Sequence, residues 1–132
     1  MNYLDIKHVN MVNGDGLRTV IWVAGCDRNC PGCFSPYTHD PNGGIPFDEK
    51  AKEELFRDSK EDWCDGITFV GGDPLFCGNR DTVINLAKEY KKLFPSKTIW
   101  LYTGYTYNEI INDPVMSEIL NYVDVLCDGP FI

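Results

Sequence analysis

The chain has 132 residues, 43% of them hydrophobic and 24% charged, which suits one domain with an adequate core and excludes a disordered or low-complexity segment. Its 20 Asp and Glu against 12 Lys and Arg leave a formal net charge of -8. That balance disfavours nucleic acid and anionic membranes as partners, because both demand clustered cations. No apolar run reaches the ~20 residues that span a bilayer. The opening MNYLDIKHVN lacks the basic-then-apolar order of a signal peptide, so the expected location is the cytoplasm. In that reducing compartment the six cysteines point to metal binding or chemistry rather than to disulfides.

In chain order, residues 3–9 offer an N-terminal edge strand. Residues 17–24 (LRTVIWVA) are rich in β-branched and aromatic side chains and stop at Gly25, which predicts a buried strand. A Gly- and Pro-punctuated loop follows to about residue 47. Asp48 is placed to cap a helix over 49–60. Residues 67–70 (ITFV) form a short apolar strand ending at Gly71-Gly72. Asn79 or Asp81 opens a helix with Val83, Ile84, Leu86, Ala87, Tyr90 and Leu93 on one side, and Pro95 ends it. Residues 97–102 (KTIWLY) predict a strand closed by Thr103-Gly104, and residues 107–121 a helix interrupted near Pro114. Residues 123–127 (VDVLC) predict a last strand.

Strands alternating with helices imply βαβ units and a mostly parallel sheet. Four crossover strands are too few for a closed eight-stranded barrel. The expected fold is therefore α/β: a partial (β/α) barrel or an open, mostly parallel sheet with helices, smaller than a full TIM barrel, as a single domain over 1–132. The chain stops at an apolar turn, Asp128-Gly129-Pro130-Phe131-Ile132, and a natural C-terminal segment is expected to be lacking.

The strongest chemical signal is the run from Cys26 through Cys30 to Cys33, a C-x3-C-x2-C spacing directly after a strand. Three close thiolates can wrap three corners of a cubane iron–sulfur cluster and leave one iron open, and an open metal position signals reactivity. Zinc is the bland alternative, with a fourth ligand from His39, Cys64, Cys77 or Cys127. A thiol oxidoreductase built on Cys30-Pro31-Gly32-Cys33 is another, although it leaves Cys26 unexplained. Taken alone, Gly71-Gly72-Asp73-Pro74 is only a turn.

Together, several elements carry a resemblance that spans essentially the whole chain. They are VNGDGLR (12–18), the strand ending in Gly25-Cys26, the Cys spacing with its CPGC ending, GGDPL (71–75), WLYTGY (100–105) and VDVLCDGPF (123–131). The chain resembles the radical S-adenosylmethionine (SAM) enzymes, and within them the activating components of anaerobic ribonucleoside-triphosphate reductase. It departs from the wider pattern at Gly32, where an aromatic residue is usual, at Ser35, where Asn is frequent, and at Asp15, where Pro is common. Members of the family also continue beyond the Asp128-Gly129 element.

The resemblance implies that Cys26, Cys30 and Cys33 ligate a [4Fe-4S] cluster whose fourth iron is chelated by the methionine part of SAM. It implies that Gly71, Gly72 and Asp73 accept hydrogen bonds from the SAM ammonium, and that Gly32, Cys33 and Phe34 border the adenine. Thr103, with Gly104 and Tyr105, would line the ribose or the path of a peptide. Arg18 would meet a SAM or cluster-side group, or else form a surface ion pair. No catalytic residue is expected beyond the cluster; His8 and His39 carry none of the required arrangements. Cys64 and Cys127 are expected as small buried hydrophobes, and Cys77 is close to the site in sequence.

The implied function is an activase that cleaves SAM reductively and installs a glycyl radical on the catalytic subunit of anaerobic ribonucleotide reductase, with one electron per turnover from flavodoxin or a thiol reductant. The alternative is activation of another glycyl-radical enzyme such as pyruvate formate-lyase, against which Gly32 and the short chain argue.

Overall fold

The computed structural model describes residues 1–10, 16–25 and 44–128. The Cys26–Cys33 run and Phe34 lie outside the described residues. The elements are β1 (Asn2–Asn10), β2 (Arg18–Val23), β3 (Ile45–Pro46), α1 (Glu49–Arg57), β4 (Gly66–Gly71), α2 (Arg80–Leu93), β5 (Thr98–Tyr102), α3 (Tyr107–Ile111) and β6 (Val125–Cys127). Short 3-10 segments at Asp58–Lys60 and Met116–Asn121 follow α1 and α3. The described strands form one six-stranded sheet in the order β3-β1-β2-β4-β5-β6. Strands β2, β4, β5 and β6 run parallel, while β1 is antiparallel to β2 and to β3. The fold is thus the expected α/β arrangement, an open and mostly parallel sheet with helices.

One expectation for the strands is corrected. The N-terminal strand is not the edge, because β3 pairs outside it through Asn2↔Pro46 and Tyr3↔Ile45. Two residues carry no readable alternation, so β3 looked like loop. The helix expected over 107–121 with a break near Pro114 does divide there, into the five-residue α3 and a 3-10 segment. Pro114 lacks an N–H to continue the ladder, and the Asp113 carboxylate starts the second segment by accepting from the backbone of Val115 (2.8 Å) and Met116 (2.9 Å). Asp48 accepts from the Ala51 amide at 2.9 Å and caps α1 as expected. Val83, Ile84, Leu86, Ala87 and Tyr90 of α2 are buried, but Leu93, expected on the same side, is 57% exposed at the last residue of the helix.

The parallel strands follow one another in chain order across the sheet. With right-handed crossovers, that order puts the connecting helices on one face. The core agrees: Ile21, Val23, Ile67, Phe69, Ile99 and Leu101 cluster with Leu55, Phe56, Val83, Tyr90, Ile110 and Ile119 from the helical segments. Alternate positions belong to the opposite face. Val20 pairs with Thr68, which pairs with Trp100, and Trp22 pairs with Val70. Val20 and Val70 are buried yet stand outside the cluster.

The N-terminal end of the parallel sheet is closed by Arg18, which is 1% exposed. Its Nε donates to Thr68 Oγ1 (2.9 Å), Nη1 to Thr98 Oγ1 (2.8 Å), and Nη2 to the carbonyls of Ile67 (2.8 Å) and Thr98 (2.6 Å). The guanidinium also lies over the Trp100 ring, 5.7 Å from its centroid. The structure buries Arg18 rather than leaving it at the surface, and places it at the strand starts, the end opposite the one where such sheets build their sites. Five strand steps of ~3.3 Å separate it from Val23, about 17 Å along β2. Burial lowers its pKa from the ordinary value.

Gly66, which pairs with both Arg18 and Thr98, has φ +155°. A Cβ there would collide with the Thr98 carbonyl oxygen and come within 2.7 Å of Arg18 Nη2. Gly66→Ala is therefore expected to cost about 2–4 kcal/mol, read from the urea midpoint; an unchanged midpoint would refute this account of the sheet end. Tyr90 gives a second test. It is fully buried, its hydroxyl lies 2.7 Å from that of Ser59, and burial pushes its pKa well above the ordinary 10. The folded chain then keeps a proton that the unfolded chain loses, so stability falls as pH rises above about 10. Tyr90→Phe should flatten that fall by up to about 1.4 kcal/mol per pH unit, in denaturation compared between pH 8 and pH 11.

Candidate functional site

At the C-terminal edge of the sheet the chain leaves β2 through Ala24-Gly25, β4 through Gly72-Asp73, β5 through Thr103-Gly104 and β6 through Asp128. This is the edge at which parallel α/β sheets build their sites. Backbone bonds extend the β2–β4 pairing past the strand ends: Gly72 N donates to Val23 O (2.8 Å) and Asp73 N to Gly25 O (2.7 Å). The close approach needs a glycine at 71, which has φ +117° and where a Cβ would press into the backbone of Val23. Thr103 N donates in turn to Cys127 O at 3.0 Å, joining the β6 end.

Asp73 is fully buried at the centre of this edge. Its Oδ1 accepts from Thr103 Oγ1 (2.7 Å) and from the Leu75 amide (2.9 Å), and its Oδ2 from the Gly104 amide (3.0 Å). Thr103 Oγ1 also accepts from the Tyr105 amide at 3.2 Å. The structure thus brings Gly71, Gly72, Asp73 and Thr103 to one place, but it turns the Asp73 carboxylate and the Thr103 hydroxyl toward each other. The geometry gives both side chains a bracing task, and a ligand at this edge would meet the half-buried Gly71-Gly72 backbone.

Two residues of this edge carried no site signal in the sequence. Asn79, 2% exposed, donates from Nδ2 to Ala24 O (2.8 Å) and Asp73 O (3.1 Å); its position before α2 reads only as a cap. Arg80 donates to Leu75 O at 3.0 Å and to the Tyr105 hydroxyl at 3.3 Å, with its guanidinium over the Tyr105 ring.

The cysteines outside the C-x3-C-x2-C run sort by edge. Cys64 is buried as expected, its Sγ 3.5 Å from Gly66 O at the N-terminal end. Cys127 is only half-buried, which corrects the expectation of a buried hydrophobe. It pairs across the sheet with Tyr102, whose phenol pKa is raised first by burial and then by the neighbouring Cys127. Cys77 is exposed. Among the described residues no group of three His, Cys, Asp or Glu could hold a metal. His8 bridges Asp58 (2.7 Å) and Glu54 (3.2 Å), tying β1 to α1.

The donor set suits an iron–sulfur cluster. Cys26 follows directly on Gly25, whose carbonyl is held at 2.7 Å by the Asp73 amide, so the three thiols of the C-x3-C-x2-C run start from a fixed root beside a glycine turn. The brace itself can be tested. Thr103→Val leaves the buried Asp73 short of a donor and should cost about 1–3 kcal/mol, while Thr103→Ser should cost far less; equal losses in thermal denaturation would mean that the hydroxyl is not what matters.

The chain matches the family described as a 4Fe-4S single cluster domain over residues 12–132. It is 38% identical over 133 residues to the anaerobic ribonucleoside-triphosphate reductase-activating protein of Pasteurella multocida (strain Pm70), covering 99% of this chain and 84% of that protein. The protein of the same name from Enterobacteria phage T4 is 39% identical over 131 residues, covering 99% and 81%. That from Escherichia coli (strain K12) is 33% identical over 134 residues, covering 100% and 86%. The chain belongs to the family of anaerobic ribonucleoside-triphosphate reductase-activating proteins, within the 4Fe-4S single cluster domains.

Proposed function

We propose that this chain is a radical SAM activase that installs a glycyl radical on the catalytic subunit of anaerobic ribonucleoside-triphosphate reductase. The observation that carries the reading is the fixed root of the Cys loop: Gly25 is clamped by the Asp73 amide at the C-terminal edge of a parallel sheet, immediately before Cys26. The relatives' names supply the partner. When bound, the group supplies one electron to cleave SAM into methionine and a 5′-deoxyadenosyl radical that takes a hydrogen atom from the partner's glycine.

The chain's own residues would do the holding. Cys26, Cys30 and Cys33 would ligate three irons of a [4Fe-4S] cluster. The backbone of Gly71 and Gly72 would face the SAM ammonium, with Asp73 setting the turn from inside rather than meeting the ligand. Gly32, Cys33 and Phe34 would border the adenine, and the Thr103–Tyr105 turn, held by Asp73 and Arg80, the ribose or the incoming peptide. The proposed setting is the cytoplasm, with flavodoxin or a thiol reductant as electron donor. None of the described helices is long and apolar enough to cross a membrane.

Anaerobic reconstitution tests the reading. About four irons and four sulfides per chain are expected, with an EPR signal of the reduced protein that shifts when SAM is added. Cys26→Ala, Cys30→Ala and Cys33→Ala should each abolish the signal. Zinc without sulfide, or a cluster indifferent to SAM, would rule the mechanism out; a Cys26→Ala variant that keeps full activity would instead favour thiol chemistry at Cys30 and Cys33.

A further inference from the structure

Asn79 occupies the N-cap position of α2 and does not cap it. Its backbone lies at φ -113°, ψ -28°, and its side chain makes no bond to the first-turn amides. Asn is among the residues most favoured as N-caps because its side-chain oxygen satisfies such amides. Here the carboxamide is turned inward and spends its Nδ2 on two carbonyls from different segments, Ala24 O at 2.8 Å and Asp73 O at 3.1 Å.

Those two carbonyls flank the functional edge. Ala24 stands two residues before Cys26, and Asp73 closes the Gly71-Gly72 turn. The Asp73 amide returns to Gly25 O, so a small ring of hydrogen bonds joins the root of the Cys loop to the glycine turn, with Asn79 as its only side chain. The backbone of Asn79 is fixed as well: its N–H donates to Phe76 O (2.7 Å) and its carbonyl accepts from Val83 N (3.0 Å). Only a primary amide on a side chain of this length can donate to both carbonyls. Serine can cap a helix but cannot span them, and aspartate has no donor to offer.

We propose that Asn79 is a positioning residue for the cluster loop. It sets the carbonyl of Ala24, and with it the direction in which the chain leaves for Cys26, at a fixed distance from the Gly71–Asp73 turn. It acts through the backbone carbonyls of Ala24 and Asp73. The inference rests on the reading of Cys26, Cys30 and Cys33 as cluster ligands. Groups that orient metal ligands from behind typically change metal affinity or activity about 10–100-fold when removed.

The test compares the wild type with Asn79→Ser and Asn79→Ala, in the full-length chain. Readouts are thermal midpoint, amide exchange at Asp73, iron retention against a chelator, and SAM affinity from the EPR shift. Both variants leave the carbonyls of Ala24 and Asp73 without their donor, and the αR backbone at position 79 gives serine no cap, so both midpoints should fall to a similar extent. At a temperature where each variant is still folded, both should bind SAM about 10–100-fold more weakly and lose iron faster, with faster exchange at the Asp73 amide. If serine restores SAM affinity and iron retention along with stability, Asn79 is a cap and the proposal fails. If the wild type takes up no iron–sulfur cluster, the functional reading fails, and exchange at Asp73 still decides the brace: unchanged exchange in both variants overturns it.

Discussion

The C-terminal edge of the sheet, where the proposed chemistry would sit, depends on one buried carboxylate, that of Asp73. Removing a charge from water costs several kcal/mol unless hydrogen bonds replace the lost solvent. Asp73 receives two backbone amides and the Thr103 hydroxyl in its place. Because these donors come from its own turn and from the end of β5, the carboxylate locks the β4 and β5 exits into one unit. Its backbone extends the lock to β2 through Gly25 and Asn79, while Thr103 carries it to Cys127 at the end of β6. Parallel strands leave unpaired backbone groups where they end, and those groups must find partners when buried. Among the described residues, Asp73, Thr103 and Asn79 tie the ends of four strands together.

The opposite end of the sheet solves the same problem with the opposite charge. Arg18 supplies donors to two threonine hydroxyls and two carbonyls at the strand starts. Its position fits a structural role, since guanidinium offers donors in several directions and remains charged even with its pKa lowered by burial. The close approach of Gly66 makes room for it. One end is thus sealed by a side chain that fills space, and the other is braced from within so that glycine backbone stays at the surface. Division of a parallel sheet into a stabilising end and a reactive end follows from the direction of its strands.

The consecutive strand order puts the described helices on a single face, where they share one core with the sheet. Aromatic rings from Trp22 and Trp100 occupy the other face, with Lys7 over Trp22 and Arg18 over Trp100.

Local features were legible in the sequence because their cause is local. The β-branched run before Gly25, the apolar side of α2, the Asp48 cap and the C-x3-C-x2-C spacing each depend on neighbours a few residues away. The alternation of strand and helix then implied a parallel sheet, and the strand-end motifs implied a common edge. The destinations of polar side chains were not legible. Arg18 bonds to residues 50 and 80 positions away, Asp73 to Thr103 and Asn79 to Ala24 across 30 and 55. An aspartate after two glycines reads as a ligand contact and an asparagine before a helix reads as a cap, since sequence supplies the groups and not their direction. Sheet order and register decided that direction, because only they determine which carbonyls and amides are left without partners at the strand ends.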